Sequence, residues 1–149
     1  MLTDRDRIFT NLYGLHDWRL AGARSRGDWD GTKDLIRMGQ DWIIETIKLS
    51  GLRGRGGAGF PTGLKWKAVA EAPGAPKTIV CNADEGEPGR FKDRVLLDYD
   101  PHATLEGMLL AAYGSGATRG FIYLQYEYPD TMGILERAIA EARAAGWLG

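Results

Sequence analysis

Apolar residues recur at helical spacing across residues 32–49, where Leu35, Ile36, Trp42, Ile43, Thr46 and Ile47 share one face. The pattern predicts a helix there, with Gly51 as its stop. A short helix is expected near residues 63–71, ended by Pro73, Gly74 and Pro76. The run KTIVCNA (77–83) is apolar and bounded by turn residues, so it reads as a buried strand of parallel type. A polar loop, DEGEPGRFKDR, follows. Asp100 then caps a helix that has Pro101 at its first position and ends at Gly114 or Gly116. GFIYLQYEY (120–128) reads as the second strand. From Asp130 a last helix carries Ile134, Leu135, Ala138, Ile139 and Ala142 on one face, and Gly146 stops it. Residues 1–31 show no clean period and read as an extended arm with short turns, docked by Trp18 and Trp29.

The order from Lys77 onward is strand, loop, helix, strand, helix, which is one βαβ unit and a further helix. The expected fold is therefore α/β: an arm and a helix, then the first part of a Rossmann-like parallel sheet. Two strands leave both sheet edges unpaired. The missing pairing comes either from a strand hidden in the arm or from residues outside this chain. The second is the expectation, with the chain as the front part of a longer protein. Residues 1–50 form the arm and amphipathic helix in this reading, and residues 51–149 the first part of the α/β domain.

Composition narrows the class. The 149 residues are 44% hydrophobic and 26% charged, enough apolar material for a core. A net charge of −1 gives no global field toward nucleic acid or membrane, and neither is expected as a direct partner. The sequence holds no apolar run of spanning length, and its first ten residues are charged where a signal peptide would be apolar. One cysteine, Cys81, excludes an internal disulfide and a cluster held by about four thiolates. It reads as a small filler in the first strand. A cytosolic protein is expected. His16 and His102 lack metal-ligand spacing and read as structural, so no metal site is expected.

The glycines are clustered. Gly54, Gly56 and Gly59 in GRGGAGFPTGLKW (54–66) match G-x-G-x-x-G. A Rossmann fingerprint needs a strand just before its first glycine, and here a helix precedes it. The P-loop pattern fails too, because Lys65 follows Leu64. The surroundings still favour an anion. Lys48, Arg53, Arg55, Lys65 and Lys67 fall between Thr46 and Ala70 with no acid among them. Successive glycine amides can form a nest, and Thr62 and Gly63 open a helix whose N-terminus favours phosphate. Phe60 either stacks on a flat heterocycle or plugs the core. An RNA-binding role for RGRGG (53–57) is disfavoured by its single copy and the balanced charge.

CNADEGEPG (81–89) puts Asn82, Asp84, Glu85 and Glu87 at the C-terminal end of the first strand, where ligands bind in open parallel sheets. The alternative is a solvated acidic turn. A cationic glycine cradle together with an acidic, amide-bearing strand end suggests a cofactor with phosphate and a ring.

These stretches, with DPHATLEGM (100–108), resemble the NADH-binding flavoprotein subunit of respiratory complex I. Relatives are the diaphorase subunits of NAD-reducing hydrogenases and formate dehydrogenases. DRIFTNLYGLHDW (6–18) resembles the arm of the complex I branch. The resemblance implies FMN that takes a hydride from NADH and passes electrons singly to iron–sulfur clusters. By position it assigns Gly54, Arg55, Gly56, Gly57, Ala58, Gly59, Pro61, Thr62, Gly63 and Lys65 to the FMN and NADH phosphates. Phe60 goes to the adenine, Asn82 and Asp84 to the flavin, and Glu85 and Glu87 to the flavin and nicotinamide. No side chain is needed as acid or base. The resemblance also implies a [4Fe–4S] domain beyond residue 149 and peripheral-arm partner subunits, especially a thioredoxin-like [2Fe–2S] subunit. It implies a position on the cytoplasmic face of the inner membrane. Two departures stand out: Ala68 replaces a usual aromatic, and Gly86 is more familiar in the hydrogenase branch. A truncated copy with a scaffold role is the non-catalytic alternative.

Overall fold

A computed structural model describes residues 9–11 and 13–149. The expected arm falls partly outside the described residues. The elements in order are α1 (Leu20–Ser25), α2 (Thr32–Arg37), α3 (Gln40–Leu49), α4 (Thr62–Glu71), β1 (Thr78–Ala83), α5 (Lys92–Tyr99), α6 (Pro101–Ser115), β2 (Arg119–Leu124) and α7 (Pro129–Ala144). The two strands pair directly. Thr118 N–H donates to Lys77 O at 3.1 Å before the strands, and Gln125 N–H to Ala83 O at 3.1 Å after them. Partner numbers climb together, so the sheet is parallel. The α/β expectation with an incomplete parallel sheet holds.

The chain divides into two compact units. One contains the described residues up to Asp30, with Asn82–Glu106 and Ile122–Gly149. Its core joins Ala83, Leu97 and Leu135, with Ile122 and Leu124 packed on them. Residues of the arm dock here through specific polar and aromatic contacts. Trp29 is buried, stacks on Trp147 at 4.9 Å between ring centroids, and donates its indole N–H to His102 Nδ1 at 3.3 Å. Buried Asn11 donates its backbone N–H to Asp100 at 3.1 Å and its side-chain amide to Tyr99 O at 2.8 Å. Trp18 is half-buried, with the Arg19 guanidinium 5.3 Å from its ring centroid. The arm is not wholly extended, because α1 forms within it and packs on α7.

The other unit contains Gly31–Cys81 and Gly107–Phe121. Here α3 packs on α4, and Ile43 and Ile44 are buried. The expected single helix over 32–49 is two helices, broken where Gly39 takes a φ of 95°. That break turns the packing face, so Thr46 and Trp42 are exposed while Ile44 is not.

Two further differences have physical causes. The expected polar loop, residues 84–94, gives way at Lys92 to α5, whose first N–H groups have a carboxylate acceptor brought from Glu85. The strands are not buried on both faces. Val80 is 60% exposed and Tyr123 63%, while Ala83, Ile122 and Leu124 turn inward toward Leu97 and Leu135. The strand period of two sends alternate residues to opposite faces, and only one face is covered by α5 and α7. Among the described residues, no helix is long and apolar enough to cross a membrane, and no group of three or more His, Cys, Asp or Glu could hold a metal ion.

Candidate functional site

The glycine segment is a closed loop on the α3–α4 unit. Thr62 N–H donates to Leu52 O at 2.9 Å and Gly54 N–H to Phe60 O at 2.9 Å, which ties its base. Arg53 pairs with Pro61 as an isolated antiparallel bridge, and its guanidinium donates to Gly59 O at 3.0 Å. The tip, Arg55 to Ala58, is exposed. Gly57 and Gly59 take φ values of 103° and 60°, where side-chain-bearing residues are strained. Among the described residues, no hydrogen bond engages the backbone N–H groups of Arg55, Gly56, Gly57 or Ala58. A Cβ at Gly56, Gly57 or Gly59 would meet nothing within 4 Å, so the missing side chains leave the main chain open to a ligand.

The loop leads straight into α4. Pro61 precedes that helix, no side chain caps it, and its first turn holds no acid. Its unpaired N–H groups therefore carry positive charge toward the loop. Thr62 starts it, and Lys65 follows in the next positions, exposed and with no carboxylate in ion-pair range among the described residues. Lys48 and Lys67, by contrast, are taken up by Glu45 at 2.7 Å and Glu71 at 3.8 Å. The patch of five cations is thus reduced, with Arg55 and Lys65 left for an anion. Gly63 serves packing instead. It is buried, and a Cβ on it would lie 2.7 Å from the Lys48 backbone nitrogen, so its lack of a side chain lets α3 and α4 approach.

Phe60 is 55% exposed, so it does not plug the core. With Lys65, Ala68, Val69, Pro73 and Lys77 it lines an open groove of about 540 Å³ along α4. The groove's far end is formed by residues 72–77, of which Pro73, Gly74 and Pro76 read in the sequence only as a helix stop. A run of small residues and prolines beside an exposed ring is the signal that could have revealed it.

The acidic stretch belongs to the other unit, and its side chains are more engaged than their crowding suggests. Asn82 Oδ1 accepts from Asp84 N–H at 3.1 Å, a turn that leaves Asp84 exposed. Glu85 is buried, at 7% exposure. Its carboxylate accepts from Asp93 N–H at 2.9 Å and Arg94 N–H at 3.4 Å, and lies 3.6 Å from Lys92 Nζ. It caps the start of α5. Glu87 is exposed and pairs with Arg90. The start of α5 thus engages Glu85, and Arg90 engages Glu87. A Cβ at Gly86 would make ordinary contact with Gln125 Nε2 at 3.8 Å, so packing does not demand glycine there.

Residues 47–148 match the family described as the Nuo51 FMN-binding domain (Complex1_51K). The chain belongs to this family. That span takes in the glycine loop, α4, both strands and the acidic turn. Over 150 aligned residues the chain is 53% identical to the F subunit of the NADH-quinone oxidoreductase of Rhodobacter capsulatus, an alignment that covers 100% of this chain and 35% of the relative. It is 51% identical over 150 residues to the mitochondrial NADH dehydrogenase [ubiquinone] flavoprotein 1 of Dictyostelium discoideum, covering 99% of this chain and 31% of the relative. The chain thus spans about a third of these relatives' length. The crystal structure of an NAD+-reducing [NiFe]-hydrogenase in the H2-reduced state is similar over 97% of this chain and 26% of that one, with 36% identity and a TM-score of 0.69. The family description fits the loop's chemistry: a flavin mononucleotide carries a phosphate, and open main-chain N–H groups beside a helix N-terminus suit one.

Proposed function

We propose that this chain forms part of the electron-input subunit of an NADH:quinone oxidoreductase. FMN, when bound, supplies hydride acceptance from NADH and the release of electrons one at a time to iron–sulfur clusters. The observation that carries the reading is the loop tip. Its N–H groups at residues 55–58 are not engaged by the described residues, and they adjoin an uncapped helix start with Lys65.

In this reading, residues Gly54 to Gly63 hold phosphate through main-chain donors, and Lys65 adds a point charge. Phe60 offers its exposed ring to the adenine of NADH. Asn82 and Asp84 hydrogen-bond the flavin edge, while Glu85 and Glu87 shape the acidic surround of the nicotinamide. Since Glu85 already holds α5, its role is to position that turn. The protein's contribution is placement and electrostatics, with no side chain moving a proton. Residues 51–149 are the first part of the FMN- and NADH-binding domain. In this reading a [4Fe–4S] cluster is held outside residues 1–149, whose one cysteine cannot bind it, and the partners are peripheral-arm subunits, especially a thioredoxin-like [2Fe–2S] subunit. The complex would hold the chain peripherally on the cytoplasmic face of the inner membrane.

A second reading, a diaphorase subunit of an NAD-linked hydrogenase, is favoured by the similarity to the hydrogenase structure and by Gly86. The chain purified with added FMN is the test. Retained flavin absorbance with NADH–ferricyanide turnover supports the oxidoreductase reading. Flavin-free protein without turnover favours a scaffold role.

A further inference from the structure

We infer that the groove beside Phe60 admits adenine dinucleotides enlarged at the adenine N6, and that Ala68 sets this tolerance. The inference rests on the proposed seating of NADH.

The groove holds about 540 Å³, within the range that takes drug-sized ligands and far more than a purine fills. Phe60 and Lys65 stand at its loop end. Ala68 and Ala72 form its wall and are exposed, and Gly74 and Ala75 lie at the far end. At Gly74 even an added Cβ would meet nothing within 4 Å. Small residues thus leave the space beyond Phe60 unfilled.

The direction of the ligand follows from its chemistry. Phosphates on the glycine loop keep the ribose at the Phe60–Lys65 end. The edge of adenine opposite its glycosidic bond, which bears N6, then runs toward residues 72–75. No residue lining the groove is acidic, and the Lys77 ammonium at the far end is turned to Ala70 O at 2.6 Å. An apolar N6 group would meet methyl groups and proline rings there. A bulky side chain at position 68 would occupy the same volume.

The test titrates the full chain, FMN-loaded, with NADH and with N6-benzyl-NADH by calorimetry, in the native form and as Ala68→Leu and Ala68→Phe. Position 68 is exposed on α4, so both variants are expected to fold, with circular dichroism as the check. The native chain should bind the two ligands within about threefold, and the ratio of their dissociation constants should rise at least about tenfold in Ala68→Phe, with Ala68→Leu between. NADH binding with N6-benzyl-NADH weaker by more than about tenfold in the native chain overturns the inference and leaves the NADH reading standing. An unchanged ratio in both variants also overturns it. Failure of the native chain to bind either ligand overturns the NADH reading and this inference with it.

Discussion

Asp28 has one carboxylate oxygen, Oδ2, that is buried and has no hydrogen-bond partner among the described residues. Burial, with the Asp100 and Glu106 carboxylates nearby, pushes its pKa up to about 6, against the pull of Arg26. A carboxyl whose folded pKa is raised is favoured in its neutral form. Stability is fully present below the unfolded value of 3.8 and declines as pH rises to about 6. Asp28→Asn removes that loss. It should stabilise the protein at pH 8 by about 1 kcal/mol, the partial solvation of the group screening the rest, and change little near pH 4. Urea unfolding at the two pH values measures this. His102 acts in the opposite sense: burial lowers its pKa although Glu141 raises it, so its contribution is held above pH 6.5 and lost as pH falls. Legibility at this scale tracks how local the meaning of a residue is. The loop glycines are readable as a turn because the groups that close it, Arg53 with Gly59 and Pro61, lie near one another in sequence. Asp28 and Glu85 are not, because groups that shape their environments lie far along the chain, Glu106 being 78 positions from Asp28 and Asp93 being 8 from Glu85.

Among the elements, two glycines with opposite duties separate stability from binding. Gly63→Ala puts a Cβ against the Lys48 backbone at the α3–α4 contact and should cost about 2 kcal/mol, read as a fall in Tm. Gly57→Ala meets open space but must keep a φ of 103° on an exposed tip. That strain should reshape the loop, leave Tm nearly unchanged and weaken FMN at least about tenfold in a fluorescence titration. Equal effects on Tm would contradict the division of labour. α7 is legible from its spacing and Gly146, and α6 from Pro101 at its start and Gly116 at its end. The break at Gly39 is not, because helical spacing continues across it. α5 is hidden for another reason: its N-terminal acceptor, Glu85, lies in a different part of the polar stretch. The open face of the sheet is equally invisible, since apolar residues such as Val80 and Tyr123 are the same letters whether covered or exposed.

At the scale of the whole molecule, family membership accounts for the loop, its helix and the strand-end turn within one matched span. The chain supplies main-chain donors and α4 on one unit and the acidic turn on the other. Its relatives are about three times as long, and what they do as whole proteins is carried here as proposal. The central claim is narrower: the glycine loop recognises a phosphate. Comparing FMN with riboflavin isolates it, because the two share the ring and differ in that phosphate. Titrating the full chain by flavin fluorescence should give FMN binding tighter than riboflavin by at least about tenfold, with the gap closing in Gly57→Ala. Equal affinities for the two flavins, or a gap that survives Gly57→Ala intact, would contradict the account.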